Sequence, residues 1–209
     1  MTANRSYRGV SAEERRAVRR AALIDAALDC LHEGGLAGIG VRAVCTRARL
    51  TPRYFYENFV DLDELLVAAV DAAGDQVSRT ALAAVAAAGP DPAAQVRAAV
   101  SSGFGVVADD PRAASAFLVA AGGHGAMRER RHEIVERFAD LVLASVSAVS
   151  AGGTQGRERA RATAVFLMGG TVDVIEAVLS ERMTMPREEV VDLLSALWLG
   201  ALRVHAPGQ

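Results

Sequence analysis

The chain has 209 residues, of which 51% are hydrophobic and only 5% aromatic, and its formal net charge is −2. A mixture rich in Ala, Leu, Val, Arg and Glu favours helix over strand. No apolar stretch approaches the about eighteen uncharged residues of a membrane span. Residues 1–16 lack the apolar core of a signal peptide, so we expect a cytoplasmic protein.

Clusters of glycine and proline divide the sequence into segments whose apolar residues recur with helical spacing. No segment alternates in the manner of a β-strand, so the sequence predicts an all-α fold of about nine helices. The predicted helices are 11–33, 41–48, 51–58, 61–89, 92–108, 111–121, 126–150, 156–181 and 187–204. The predicted domains are residues 1–60 and residues 61–209.

The charge is distributed unevenly between the two predicted domains. Residues 1–60 hold ten arginines and six acidic residues, a net charge of +4, whereas residues 61–209 have a net charge of −6. A basic segment joined to an acidic body predicts that the N-terminal segment meets a polyanion. The alternative is that its arginines form a solvated helix face: Arg15, Arg16, Arg19 and Arg20.

The first predicted helix carries recognisable signals at both ends. Ser11 and Glu14 have the spacing of a capping box, in which each side chain bonds the other residue's backbone N–H. Gly34 and Gly35 end the helix. Cys30 lies in this helix and Cys45 in the next helical segment, and their spacing is not that of metal ligands. Both are interpreted as small buried hydrophobic residues.

Two short helical segments follow, and only a few residues separate them. This is the spacing of the tight helix pair in a helix-turn-helix. Thr51 is suited to the N-cap of the second segment, and Pro52 to its first helical position, where a missing N–H costs nothing.

The stretches RRAALIDAALDCLHEGG, VRAVCTRARL and TPRYFYENFVDLDELLVAAV, within about residues 19–70, resemble the TetR family of bacterial transcriptional regulators. The resemblance implies three DNA-binding helices followed by about six helices for ligand binding and dimerisation. It also implies that Tyr56 contacts phosphate and that Pro52, Arg53 and Tyr54 read bases. Arg42 matches a position that contacts the backbone or a base edge.

The chemistry of the second short segment agrees with this assignment. Arg53 can bond guanine bidentately, and Asn58 can do the same with adenine, while tyrosine hydroxyls suit phosphate oxygens. Phe55 and Phe59 lie four residues apart and are expected to pack under the helix pair. Glu57 would be repelled by phosphate, so we expect it to face away from the DNA backbone or to bond an arginine.

The chain departs from the family pattern at two positions. Arg49 occupies the turn between the short helices, where the family usually has Gly, which predicts a strained or altered turn. Arg49 can reach phosphate as a partial compensation, and with Thr51 it completes the predicted DNA-binding set. Leu62 stands where the family commonly has Lys near the start of the fourth helix, so one phosphate contact is expected to be missing.

Residues beyond 70 contain no nucleophile elbow, phosphate loop or dinucleotide fingerprint, so neither catalysis nor a cofactor or metal is predicted. The last two helices carry apolar residues on two faces; for example, the periodicity predicts Leu194 and Leu197 on one face of the last helix and Trp198 on another. One face can pack on the chain's own core while the other needs a partner. The sequence therefore predicts a homodimer through the last two helices.

An alanine-rich bundle leaves room for an apolar cavity, which is the usual ligand site in such bundles. The candidate ligand-binding residues, each also interpretable as a core or surface residue, are Phe104, Phe117, His124, Phe138, Phe166 and Asp173. The ligand itself is an unknown, partly apolar small molecule.

The sequence thus predicts a ligand-responsive regulator, a repressor that binds a palindromic operator as a homodimer and is released by a small molecule. The release mechanism follows from the resemblance alone. The alternative is a helical small-molecule-binding protein whose DNA-binding segment no longer functions, which Arg49, Leu62 and the acidic body favour.

Overall fold

The computed structural model describes residues 11–121, 126–145 and 153–204. These described parts are helical and contain no strand, which confirms the predicted all-α class. The helices are α1 (Ala12–Gly38), α2 (Val41–Ala48), α3 (Pro52–Tyr56), α4 (Leu62–Ala87), α5 (Pro92–Asp109), α6 (Pro111–Ala121), α7 (Ala126–Ser145), α8 (Gly153–Leu179) and α9 (Arg187–Val204).

The helix α1 begins with the predicted capping box. The Glu14 N–H donates to Ser11 Oγ at 3.0 Å, and the Ser11 N–H donates to Glu14 Oε2 at 2.6 Å. These bonds favour the carboxylate, so the Ser11 backbone N–H lowers the pKa of Glu14. Gly35 takes φ 57°, a conformation that only glycine adopts without strain, and interrupts the helix where the sequence placed its end.

The chain divides into two compact units, and the boundary falls between Ala69 and Val70. This differs from the predicted boundary after residue 60. The first turns of α4, with the buried side chains of Leu65 and Leu66, lie in the first unit. A continuous helix thus contributes to both units, which a search for glycine and proline breakers cannot detect.

The first unit encloses its own apolar core. The side chains of Leu23, Leu31, Val44, Phe55 and Phe59 are all at most 2% exposed. Cys30 and Cys45 are buried free thiols whose pKa values are raised by burial, as expected of small hydrophobic residues.

The second unit is a bundle in which α5 packs on α9 and α7 packs on α8. Its core cluster comprises Phe104, Val107, Ile175, Val190, Val191 and Leu194. Ion pairs flank the α5–α9 contact: Arg187 donates to Asp109 at 2.7 Å, and Arg97 pairs with Glu188 and Asp192. Hydrophobic burial therefore holds the bundle, while these exposed pairs contribute little stability.

One helix among the described residues, over Gly156–Leu179, is long and apolar enough by composition to cross a membrane, although it contains Asp173 and Glu176. Only 17% of its most apolar window is buried in this chain. A single such helix is weak evidence for a membrane span. Its exposed apolar side chains form a surface of the type that binds a partner.

Candidate nucleic-acid interface

The turn between α2 and α3 is built around Arg49, which adopts a left-handed conformation with φ 55° and ψ 38°. Its backbone N–H points to the carbonyl oxygens of Cys45 and Thr46, so it closes the end of α2. The prediction of a strained turn is confirmed, because a side chain in this region costs about 1–2 kcal/mol relative to glycine. Arg49 is exposed to solvent.

The helix α3 begins at the residues that the sequence predicts, but the side chain at its N-cap does not form the expected hydrogen bond. Thr51 occupies the N-cap and Pro52 the first helical position of α3. The Thr51 side chain forms no cap hydrogen bond; its backbone carbonyl accepts from the Tyr54 N–H at 2.9 Å instead. Thr51 is exposed, so its hydroxyl is available to another partner.

The side chains that face solvent on this helix pair are those suited to nucleic acid. Tyr56 is 63% exposed, and its ring packs edge-on against Phe55, with the centroids 5.2 Å apart. The Arg53 side chain is 84% exposed, and Arg42 on α2 is also exposed. Phe55 and Phe59 are buried, which confirms their predicted role as the core beneath α3.

Glu57 pairs with arginines, as the sequence led us to expect. Its Oε1 accepts from Arg53 Nε at 3.0 Å, and its Oε2 lies 3.8 Å from a terminal nitrogen of Arg19 on α1. The same Arg19 guanidinium lies over the Tyr54 ring, 4.6 Å from its centroid. Tyr54 is half-buried and so offers less surface to a partner than Tyr56 does.

Asn58 is placed differently from the prediction. It is only 7% exposed, and its Nδ2 donates to the Tyr54 carbonyl at 2.7 Å. The predicted reading of adenine by Asn58 is therefore incompatible with this structure, because its amide group is turned into the first unit and closes the end of α3.

Two arginines of α1, Arg19 and Arg20, contact α3 and the residues that follow it. Arg20 donates to the Asn58 carbonyl at 3.0 Å, and its guanidinium lies 4.2 Å from the centroid of the Phe59 ring. Arg19 and Arg20 are half-buried, whereas Arg15 and Arg16 are exposed. These four arginines therefore form neither a free basic patch nor a fully solvated helix face. No pattern of neighbouring residues in the sequence predicts the contact of Arg20 with Asn58, which lies 38 residues later.

Replacing Arg20 with Ala is expected to lower the free energy of unfolding of the first unit by about 1–2 kcal/mol, since a charge-assisted bond and a cation–π contact are lost. Thermal and urea unfolding of the purified chain would measure the change. Arg16→Ala, an exposed arginine of the same helix, serves as the control and should change stability by less than about 0.5 kcal/mol. Equal effects of the two substitutions would contradict the assigned role of Arg20.

The N-terminus of α4 is acidic and lacks the lysine of the resembling family. The Glu64 N–H donates to Asp61 Oδ1 at 2.9 Å, and the Val60 N–H donates to Glu64 Oε2 at 2.7 Å. Leu62 is half-buried at the first position of this helix. The absence of a phosphate contact here stays a prediction.

The predicted ligand-binding residues that the structure describes differ in burial within the second unit. Phe104 is 3% exposed in the core, and Phe117 packs against that core. Phe138 is half-buried, whereas Phe166 is 78% exposed. Asp173 is ion-paired with Arg131, and His124 lies outside the described residues. Phe104 and Phe117 therefore belong to one apolar core, and a ligand site formed by the predicted residues stays a prediction.

A shallow groove of about 460 Å³ opens on α7. Its lining is largely charged: Glu133, Glu136, Arg137, Asp140 and Leu141. Arg161 on α8 pairs with two of the carboxylates, Glu136 and Asp140, at 3.3–3.4 Å. This groove differs from the apolar cavity predicted among the phenylalanines, and its carboxylates already have cationic partners.

The last two helices expose apolar side chains in a different arrangement from the predicted one. Leu194 and Trp198 are both buried, and Trp198 Nε1 donates to Thr171 on α8 at 3.1 Å. The exposed row on α9 consists of Leu193 and Leu197, which are 42% and 50% exposed. Together with Phe166 on α8, they leave apolar surface of the second unit uncovered in the single chain.

The chain matches no known protein-family model, but it is similar to several solved structures. The multidrug-binding protein EbrR complexed with imidazole has 23% identity and a TM-score of 0.64, covering 86% of this chain and 94% of that one. EbrR complexed with malachite green has 22% identity and a TM-score of 0.62, covering 86% of this chain and 97% of that one. A TetR-like transcriptional regulator from Rhodococcus sp. RHA1 has 22% identity and a TM-score of 0.60, covering 88% of this chain and 96% of that one. The chain therefore has the fold of TetR-type transcriptional regulators.

Proposed function

We propose that this protein is a TetR-type, ligand-responsive transcriptional repressor that binds a palindromic operator as a homodimer. The observation that carries the proposal is the presentation of Arg53 and Tyr56. Both side chains project into solvent from a short helix whose other side is fixed by the buried Phe55 and Phe59. A recognition helix needs this combination of rigid support and exposed polar groups.

Each exposed residue of the helix pair has a chemistry that suits DNA. Arg53 would bond guanine in the major groove, while Tyr56 and Thr51 would donate to phosphate oxygens. Arg42 and Arg49 supply positive charge on either side of α3, and Pro52 and Tyr54 supply apolar contact to base edges or sugars. Asn58 contributes by closing the end of α3.

Dimerisation would cover the apolar side chains that α8 and α9 expose. The uncovered Phe166, Leu193 and Leu197 supply such a surface, and two-fold pairing of four helices is a common way to bury one. A dimer would also present two recognition helices, as reading of two half-sites about 34–36 Å apart requires.

A small molecule bound in the second unit would act as the inducer. EbrR, with which the chain shares its fold, is a multidrug-binding protein seen with imidazole and with malachite green. A ligand with higher affinity for a state that cannot bind DNA would shift the population away from the operator. The residues that we propose for this site are Phe104, Phe117, Phe138 and His124, whereas the exposed Phe166 suits the proposed dimer surface better and Asp173 is ion-paired with Arg131.

A second function, small-molecule binding without DNA binding, is favoured by two observations. Arg53 is neutralised by Glu57 at 3.0 Å, and Leu62 replaces a lysine of the resembling family. Both reduce the positive charge that the helix pair presents to phosphate.

Selection from a library of random duplexes distinguishes the two functions. We expect the wild-type chain to enrich a two-fold-symmetric sequence, with half-site centres about 10–10.5 base pairs, or a multiple of that, apart. Recovery of unenriched random sequence, in a chain that is folded and dimeric, would favour the second function.

A further inference from the structure

The carboxylate of Glu57 joins the exposed Arg53 to the half-buried Arg19. Arg53 and Glu57 lie four residues apart along the end of α3, so their pairing is local, whereas Arg19 comes from α1. The two carboxylate oxygens are divided between the arginines: Oε1 accepts from Arg53, and Oε2 faces Arg19. Arg19 also lies over the Tyr54 ring, which fixes its guanidinium, and the fixed guanidinium in turn holds the Glu57 carboxylate.

The atoms used in this pairing leave the reading edge of Arg53 available. The hydrogen bond to Glu57 engages Nε, so the terminal Nη1 and Nη2 lie outside the bond. Those two nitrogens are a donor pair that can bond guanine O6 and N7. An unsupported arginine on a helix surface samples many rotamers, and fixing its Nε removes part of that freedom before DNA binds.

We infer that Glu57 is a specificity-determining positioning residue, which orients the Arg53 guanidinium for guanine and is itself held by Arg19. This inference rests on the proposed DNA-binding function. Glu57 also places a negative charge beside the DNA, and that charge opposes binding wherever Arg53 finds no base partner. One carboxylate therefore favours the operator and disfavours unrelated sequence.

The test replaces Glu57 with Gln in the full chain and measures dissociation constants for the selected duplex and for an unrelated duplex of equal length. We expect affinity for the selected duplex to fall about three- to tenfold per dimer, because two arginines lose their orientation. Affinity for the unrelated duplex should stay constant or rise, since a repulsive charge is lost. Discrimination at the guanine that Arg53 reads should also relax.

The same substitution in an Arg53→Ala background isolates the coupling between the two residues. There, Glu57→Gln should no longer weaken binding to the selected duplex. Asp63→Asn, which removes an exposed carboxylate from the start of α4, is the charge-matched control and should not lower the ratio of specific to unrelated affinity.

Three results would overturn the inference. A parallel gain for both duplexes would mean that Glu57 only repels DNA, and a parallel loss would mean that it only stabilises the fold. An equal loss for the selected duplex with and without Arg53 would remove the link between them. Failure of the wild-type chain to bind any duplex would instead contradict the proposed function itself.

Discussion

Replacing both Arg53 and Tyr56 with alanine is expected to lower affinity for the selected duplex by at least about a hundredfold. A bidentate arginine–guanine pair contributes about 1–3 kcal/mol of discrimination, and a dimer carries two such arginines. Loss of the phosphate contact from each Tyr56 adds to this effect. Fluorescence anisotropy with a labelled duplex would measure the change at a fixed salt concentration, since affinities are comparable only at equal salt.

The double substitution should leave the protein folded and dimeric, because both side chains project into solvent and contribute little to the core. Circular dichroism and sedimentation would verify this. Arg16→Ala is the matched control: Arg16 is an exposed arginine of the same unit, and its loss should lower affinity severalfold at most. Normal operator binding by the double variant would show that α3 is not the reading helix.

Introducing glutamate at both Phe166 and Leu197 is expected to convert the dimer into monomers at micromolar concentration. Each substitution would place an unpaired carboxylate in the proposed interface, where burial of an unpartnered charge costs several kcal/mol. Because a monomer presents one recognition helix instead of two, operator affinity should fall by a factor of at least about a thousand. Analytical ultracentrifugation and DNA binding would measure the two effects.

A control for added charge is available on another helix. Leu82 on α4 is 45% exposed, comparable with Leu197 at 50%, and Leu82→Glu should leave the chain dimeric. A chain that stays dimeric with both Phe166 and Leu197 replaced would mean that another surface forms the dimer. Dissociation by Leu82→Glu alone would point to α4 instead.

Features of the site that depend on neighbouring residues could be predicted from the sequence. The Ser11–Glu14 capping box, Pro52 at the start of α3 and the left-handed Arg49 are properties of a few consecutive positions, so their spacing is informative. The burial of Phe55 and Phe59 follows in the same way from their four-residue spacing, although Phe59 lies just beyond the end of α3.

Features that depend on tertiary contacts could not be predicted. Asn58 has the side chain of an adenine-reading residue, but it is buried and its amide donates to the Tyr54 carbonyl, while Arg20 from α1 donates to the Asn58 backbone carbonyl. On α9 the sequence identified two apolar faces but misassigned them, since Leu194 and Trp198 share the buried side. Periodicity reveals that a helix has apolar faces, but packing decides which one is covered.

The most direct test of the central claim is the salt dependence of wild-type binding to the selected duplex. Arg42 and Arg49, the exposed arginines that are not assigned to a base, give four per dimer, and neutralisation of four phosphates predicts about a hundredfold loss of affinity between 50 and 200 mM salt. A steep loss of this order, with two chains bound per duplex, is the result that we expect. Affinity that does not change over this range, or no measurable binding at 50 mM, would contradict DNA binding by this helix pair.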